Sequence, residues 1–323
     1  VKEHHEGFDV ILNRNFLIAD ISLLLVALVW GTTFVIVQNA LSFLGPFSFN
    51  GIRFTLAGLM LAAWLLLFER EQIQKLDRRV LLSGILIGFW LFVGYAAQTA
   101  GLMYTTSAKA GFITGLNVVL VPVFSFLLLK HKPSQQAILG IIIATIGLYL
   151  LTMTDSAPLN IGDGLVFVCA IGFGLQIIYT GKYSRNSPTL LLTVIQISTV
   201  AVLSLTGAFF FEDWHMMANR KVILAPEVVI AFIVTSVLAT ALAFFIQTSV
   251  QKYTTPTRVA LIFATEPVFA AITGFIWADD RLSFSAIAGC FLILSGMVFS
   301  ELPTHKQFLP HRHKTEVNDH SMF

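Results

Sequence analysis

Charge is the scarcest property of this 323-residue chain: Asp, Glu, Lys and Arg together make up 12% of it. Soluble domains carry about 25%. Disorder needs high charge and low hydrophobicity, so it is excluded. Two ordinary soluble domains are excluded as well, because too little polar surface exists to cover their cores. Cysteine is nearly absent. Cys169 and Cys290 both lie in apolar runs, leaving neither a disulfide framework nor a CxxC metal pair. No sign of charge dominates: the net charge is +2, and no basic field points to nucleic acid. Phosphate-loop, H-E-x-x-H and G-x-S-x-G motifs are missing. All eight His (His4, His5, His131, His215, His305, His311, His313 and His320) fall in polar joints or near the ends. No imidazole is left in an apolar run to hold a metal or act as a base. The expectation is no enzyme, no catalytic residue, no metal and no cofactor.

What the chain has in quantity is apolar residues. They make up 56%, with 29 Phe, and the mean hydropathy is +0.80. A bilayer core of about 30 Å needs roughly 20 apolar residues of helix. Ten such runs are readable, at 18–40, 47–68, 80–102, 108–129, 136–152, 162–182, 189–211, 227–246, 256–278 and 284–300. Backbone polar groups in lipid must be satisfied within the segment, so helices are expected. No run alternates polarity as a barrel strand would. The expected class is an all-α polytopic membrane protein with ten transmembrane helices. Residues 1–17 are too polar for a signal peptide. Residues 302–323 form a polar tail.

Lys and Arg accumulate on the cytoplasmic side. With ten spans and an inside N-terminus, fifteen of the 20 Lys and Arg fall inside. Only Lys109, Arg220, Lys221 and Arg281 fall outside, and Arg53 lies within a span. The expectation is a plasma (inner) membrane protein with both termini cytoplasmic.

The chain also repeats. A shift of 149 residues pairs Gln98-Thr99 with Gln247-Thr248 and Tyr104-Thr105-Thr106 with Tyr253-Thr254-Thr255. It continues without a gap through Lys109 with Arg258, Gly140 with Gly289 and Gly147 with Gly296. Earlier, a shift of 143 pairs Asp20 with Asp163 and Gly31 with Gly174. Two related five-span halves follow, 18–152 and 162–301, joined by a linker at 153–161. Five is odd, so the second half enters the membrane inverted. Inverted repeats recur in secondary transporters, with the substrate site near the midplane between the halves.

Polar residues within spans are the site candidates, because charge at membrane depth is costly. Glu266 is the one acidic residue near the middle of a span. It reads as a proton-binding or amine-binding carboxylate, or as a structural Glu held by a neighbouring helix. It aligns with Asn117, so both halves put a polar side chain at one depth. Pro267 and Pro122 interrupt these two runs, and broken helices point to transporter sites. Gln98 and Gln247 are repeat-equivalent amides, fit either for a polar substrate or for holding helices together. Trp30 beside Gly31 reads as a cavity wall or a lipid contact. Arg53 sits six residues into its span and reads foremost as reaching the interface by snorkelling, with substrate binding as the alternative. Lys109 and Arg258 read as interface anchors or as gates of two entrances. Asp20 and Asp163 read as helix-cap residues.

Trp30-Gly31, Arg53-Phe54, Gln98-Thr99, Gly115-Leu116-Asn117 and Glu266-Pro267-Val268-Phe269-Ala270, with the paired glycines, together resemble the EamA-like branch of the drug/metabolite transporter superfamily. The likeness spans roughly residues 20–301. It implies two EamA-like five-helix repeats and a central cavity lined mainly by spans 1, 3, 4, 6, 8 and 9. It implies transport of small molecules, amino acids or related metabolites or toxic compounds, often as efflux, with the proton a candidate partner. A homodimer is compatible with it. The family often carries an acidic residue after the fourth span. Here that joint reads Lys130-His131-Lys132, whereas Asp279-Asp280-Arg281 follows the ninth. The alternatives are a lipid or amphiphile translocator of the same fold, a passive channel, and an intramembrane enzyme. The last needs a second carboxylate or nucleophile beside Glu266.

Overall fold

The computed structural model describes residues 2–152, 159–277 and 283–300. Most of the expected linker, the Asp279-Asp280-Arg281 joint and the polar tail lie outside the described residues.

Every regular element among the described residues is helical. Helix α1 covers Lys2–Ala40, α2 Pro46–Phe68 and α3 Arg78–Gly101. Then come α4 (Ser107–Gly115), α5 (Asn117–Leu129), α6 (Gln135–Thr152), α7 (Ile161–Tyr183) and α8 (Thr189–Phe211). Helix α9 (Pro226–Ile233) runs through a π-helical stretch, Val234–Leu242, into α10 (Ala243–Val250). Helices α11 (Pro256–Phe263), α12 (Glu266–Trp277) and α13 (Phe284–Ser300) complete the order.

Seven stretches are long and apolar enough to cross a membrane: Phe16–Ala40, Pro46–Phe68, Arg78–Gly101, Lys109–Leu129, Ile161–Asn186, Thr189–Phe211 and Pro226–Tyr253. The other three expected runs differ. Gln135–Leu151 and Phe284–Ser300 are shorter apolar helices. The 256–278 run is divided into α11 and α12 by a turn at Ala264-Thr265. The polar N-terminal residues are not a separate segment, because helix α1 already begins at Lys2.

The distribution of polarity is that of a protein meant for lipid. Leu59, Leu67, Phe210 and Phe291 are exposed, while Gln176, Gln196, Thr240, Gln247 and Thr248 are buried. Buried polar groups need partners. Gln247 donates to Gln176 (3.2 Å) and Gln196 to Thr248 (3.0 Å), forming a polar seam between α7, α8 and α10.

Glycines set the closest helix contacts. Helices α6 and α13 cross where a Cβ on Gly140 would meet the Gly296 carbonyl at 2.6 Å and one on Gly147 the Gly289 carbonyl at 2.7 Å. Small residues permit such approach, and lipid supplies no hydrophobic drive to replace it. Helix starts are capped by the side chains the sequence offers. Thr106 accepts from Lys109 N, and Thr255, at the matching repeat position, accepts from Arg258 N.

Candidate functional site: a central cavity between two ion pairs

The two helical runs that carry Asn117 and Glu266 loosen at the same place. Leu116 N donates to Ile113 O (3.2 Å), and Val119 N to Leu116 O (2.9 Å). The same pattern recurs at the repeat-equivalent positions 149 residues on: Thr265 N donates to Ile262 O (3.0 Å), and Val268 N to Thr265 O (2.9 Å). These bonds span three residues, so each helix tightens into a 3₁₀-type turn. Asn117 and Glu266 are the first residues beyond the turns. Pro267 fits the first turn of its helix, where its missing N–H costs nothing. Pro122 lies inside α5 and does not make the interruption, which is at Leu116.

The two turns approach each other. Phe34, Thr114, Gly115, Asn117, Phe263, Glu266 and Pro267 surround a small gap. Beside it lies a cavity of about 60 Å³, room for a few waters. Its wall includes Trp30, Thr33, Phe34, Arg53, Tyr95, Gln98, Thr114, Asn117, Phe173, Gln176, Phe244, Phe263 and Glu266. Several come in repeat-related couples: Trp30 with Phe173, Thr33 with Gln176, Tyr95 with Phe244, and Asn117 with Glu266.

Trp30 is fixed at both ends. Its indole N–H donates to Ala239 O (2.8 Å), and its ring packs on Phe244 and Phe263 at 5.3 and 4.9 Å. Gly31 lets α1 lie against α12, since a Cβ there would fall 2.5 Å from the Glu266 carbonyl. Gln98 donates to Thr114 (3.2 Å). Asn117 Oδ1 is buried without a hydrogen-bond partner. The Glu266 carboxyl makes no hydrogen bond or ion pair among the described residues.

At either end, away from the cavity, a charged pair ties early helices to late ones. Lys109 Nζ meets Asp163 Oδ2 at 3.3 Å, with exposures of only 7% and 4%. Thr105 donates to Asp163 Oδ1 (2.6 Å), and the Asn160 backbone N–H donates to Oδ2 (2.9 Å). The second pair is Arg258 with Asp20, bonded through both Nε and Nη2, with exposures of 29% and 21%. Its partners are the repeat equivalents of Lys109 and Asp163.

The sequence profile of the EamA-like transporter family matches residues 17–153 and 160–302. The chain belongs to this family. A transporter of Archaeoglobus fulgidus is 34% identical over 88% of the chain and 86% of its own length. The EamA-family chain is also similar to the Bacillus subtilis transporter YoaV, at 22% identity over 84% of the chain and 92% of the relative. It is similar to the protein PecM of Dickeya dadantii, at 23% identity over 84% and 88%. A crystal structure shares the fold, with a TM-score of 0.73 over 90% of this chain and 99% of that one, at 18% identity. This EamA-family protein is thus an integral membrane transporter.

The structure sorts the candidate residues. Trp30, Gln98, Asn117 and Glu266 share one cavity. Gln247 does not line it. It is fully buried, donating to Gln176 and to Gln251, because α10 turns it into the polar seam. Arg53 does not snorkel. It is 3% exposed, and its guanidinium lies 4.8 Å from the Tyr95 ring centre and donates from Nε to Thr240 (2.7 Å). The π-helical stretch brings Thr240 and Ala239 to it, and such stretches mark functional positions often. Asp163 closes a capping box with Asn160, as read. Asp20 is no cap, because α1 begins at Lys2 and places it inside the helix. Tyr95, Gln176 and Thr33 are cavity residues that the sequence reading passed over. The signals were a mid-span Tyr three residues before Gln98 and the repeat relation of Thr33 to Gln176. Among the described residues no three His, Cys, Asp or Glu come together as a metal site.

Proposed function

We propose that this protein is a secondary transporter of small metabolites that works by alternating access and runs outward. Two inverted five-helix halves, 18–152 and 162–301, enclose the cavity. Both termini are cytoplasmic, and the membrane is the plasma membrane.

The observation that carries this reading is the placement of the ion pairs. Lys109–Asp163 joins the first half to the second, and so does Asp20–Arg258. Exchanging the halves turns one pair into the other. The glycine crossings behave alike: Gly140 on Gly296 becomes Gly289 on Gly147. A contact set that maps onto itself is what two inverted halves about a pseudo-two-fold axis require. Each pair closes one end in one state, and the cavity between them opens alternately. In this reading Lys109–Asp163 guards the outer end and Arg258–Asp20 the inner end. The charge bias of the joints supports that assignment.

The cavity is too small here for a metabolite, so loading requires the pairs to part. Glu266, Asn117, Gln98 and Trp30 contact the cargo, with Glu266 as the proton or amine contact. A space of about 520 Å³ opens beside Arg258, and it offers an exported cargo its entry. The test is transport in proteoliposomes. Glu266→Gln should lower the rate at least tenfold while leaving the fold intact. Unchanged transport at every pH tested would remove the role of Glu266.

A further inference from the structure

Among the described residues, Arg53 is the only cavity-lining Lys or Arg, and its hydrogen-bond partners are neutral groups. Its Nε donates to Thr240 Oγ1, and Nη2 to Ala239 O (3.3 Å) and Tyr95 Oη (3.4 Å). Both Nη2 contacts are long for a charged donor. No hydrogen bond from Nη1 is found among the described residues. Among the described residues no carboxylate lies within 4 Å of it, and Glu266 lines the same cavity without pairing. A buried charge without a counter-charge is expensive, and at membrane depth it calls for a functional reason. The planar fork suits a carboxylate, bonded through two nitrogens.

A second observation points the same way. The space beside Arg258 is lined by His131, Lys132, Lys182, Arg185 and Arg258, and among the described residues no Asp or Glu lines it. A mouth of one sign concentrates the opposite charge. Basic residues are expected on that face of any membrane protein. Their gathering around one opening between helices, beside the Arg258–Asp20 pair, is the further fact.

We infer that Arg53 is the binding residue for an acidic group, and that the cargo is a small carboxylate-bearing molecule drawn in through the basic mouth. The inference rests on the transporter reading for its direction and on Arg53 alone for its chemistry. A pure cation or a neutral lipid-like cargo is incompatible with it.

The test uses the purified full-length protein and matched probes. Each small carboxylic acid, aliphatic, aromatic or α-amino, is paired with its primary amide and with the corresponding amine lacking the acid. Thermal stabilisation is read for wild type, Arg53→Gln and Arg53→Lys. At least one acid should bind tenfold or more tightly than its amide. That preference should vanish in Arg53→Gln and persist weakly in Arg53→Lys, which keeps the charge and loses the fork. Should Arg53→Gln fail to fold, Arg53→Lys carries the comparison. Neutralising Lys132, Lys182 and Arg185 together should raise the half-saturating acid concentration severalfold at low salt and leave the preference for acid over amide intact. Probes bound equally as acid and amide, or no acid bound at all, would overturn the inference. Acid binding without transport would instead sink the transporter reading and leave the subsite standing.

Discussion

The two ends of the cavity are built from equivalent residues and finished differently. At the Lys109 end the charges are almost fully buried, Thr105 and Asn160 add hydrogen bonds, and Gly101 packs on Gly162. At the Arg258 end the charges are part-exposed and Thr254, the equivalent of Thr105, has a buried hydroxyl with no partner. That end also adjoins the large basic opening. The difference teaches which end holds. A buried pair whose carboxylate oxygens both accept further hydrogen bonds resists parting, whereas a part-exposed pair parts at smaller cost. The Lys109–Asp163 pair is the firmer of the two and the Arg258–Asp20 pair the looser.

The comparison can be broken by deleting one acid at a time. Asp163→Ala removes the carboxylate that Lys109 faces in a buried site and should cost about 3–5 kcal/mol. Asp20→Ala should cost about 1 kcal/mol or less, because its partner can reach water. Thermal melts of both variants in the same detergent check the ranking, and equal losses would refute it. A finer version uses the two threonines. Thr105→Val removes a hydrogen bond to a charged acceptor and should cost about 1.5–3 kcal/mol. Thr254→Val removes only an unpaired hydroxyl and should be neutral or slightly stabilising, read in the same melts.

A smaller effect lies outside the spans. Asp213 accepts from His215, whose side chain and backbone hydrogen bonds hold its carboxyl below the ordinary range. A depressed carboxyl contributes stability above its unfolded pKa, and that contribution is lost as pH falls through the folded value. Asp213→Asn should therefore flatten the acid end of the melting-temperature profile slightly, with no change in transport, since both groups are exposed.

The membrane class and the position of most spans were legible because lipid forces long apolar runs. The family was legible for a related reason: its motifs fall where helices meet or turn. The pairing of Asn117 with Glu266 was readable from the repeat alone. Other features needed three dimensions. Six residues into a span is ambiguous between interface and interior, and only the position of Thr240 decides it for Arg53. Gln98 and Gln247 are equivalent in sequence, yet a small rotation puts one in the cavity and seals the other. The partners of Lys109 and Arg258 were each singled out as caps, but nothing in a linear chain says which helix ends adjoin.

The account stands on the claim that the two pairs close opposite ends. The direct measurement replaces Cys169 and Cys290 with Ala, places one reporter at Phe34→Cys in the cavity wall, and adds an impermeant thiol reagent to either side of oriented vesicles. Asp163→Asn should raise labelling from the Lys109 side only, and Asp20→Asn from the Arg258 side only. Both variants raising labelling from the same side, or neither changing it, would contradict the account.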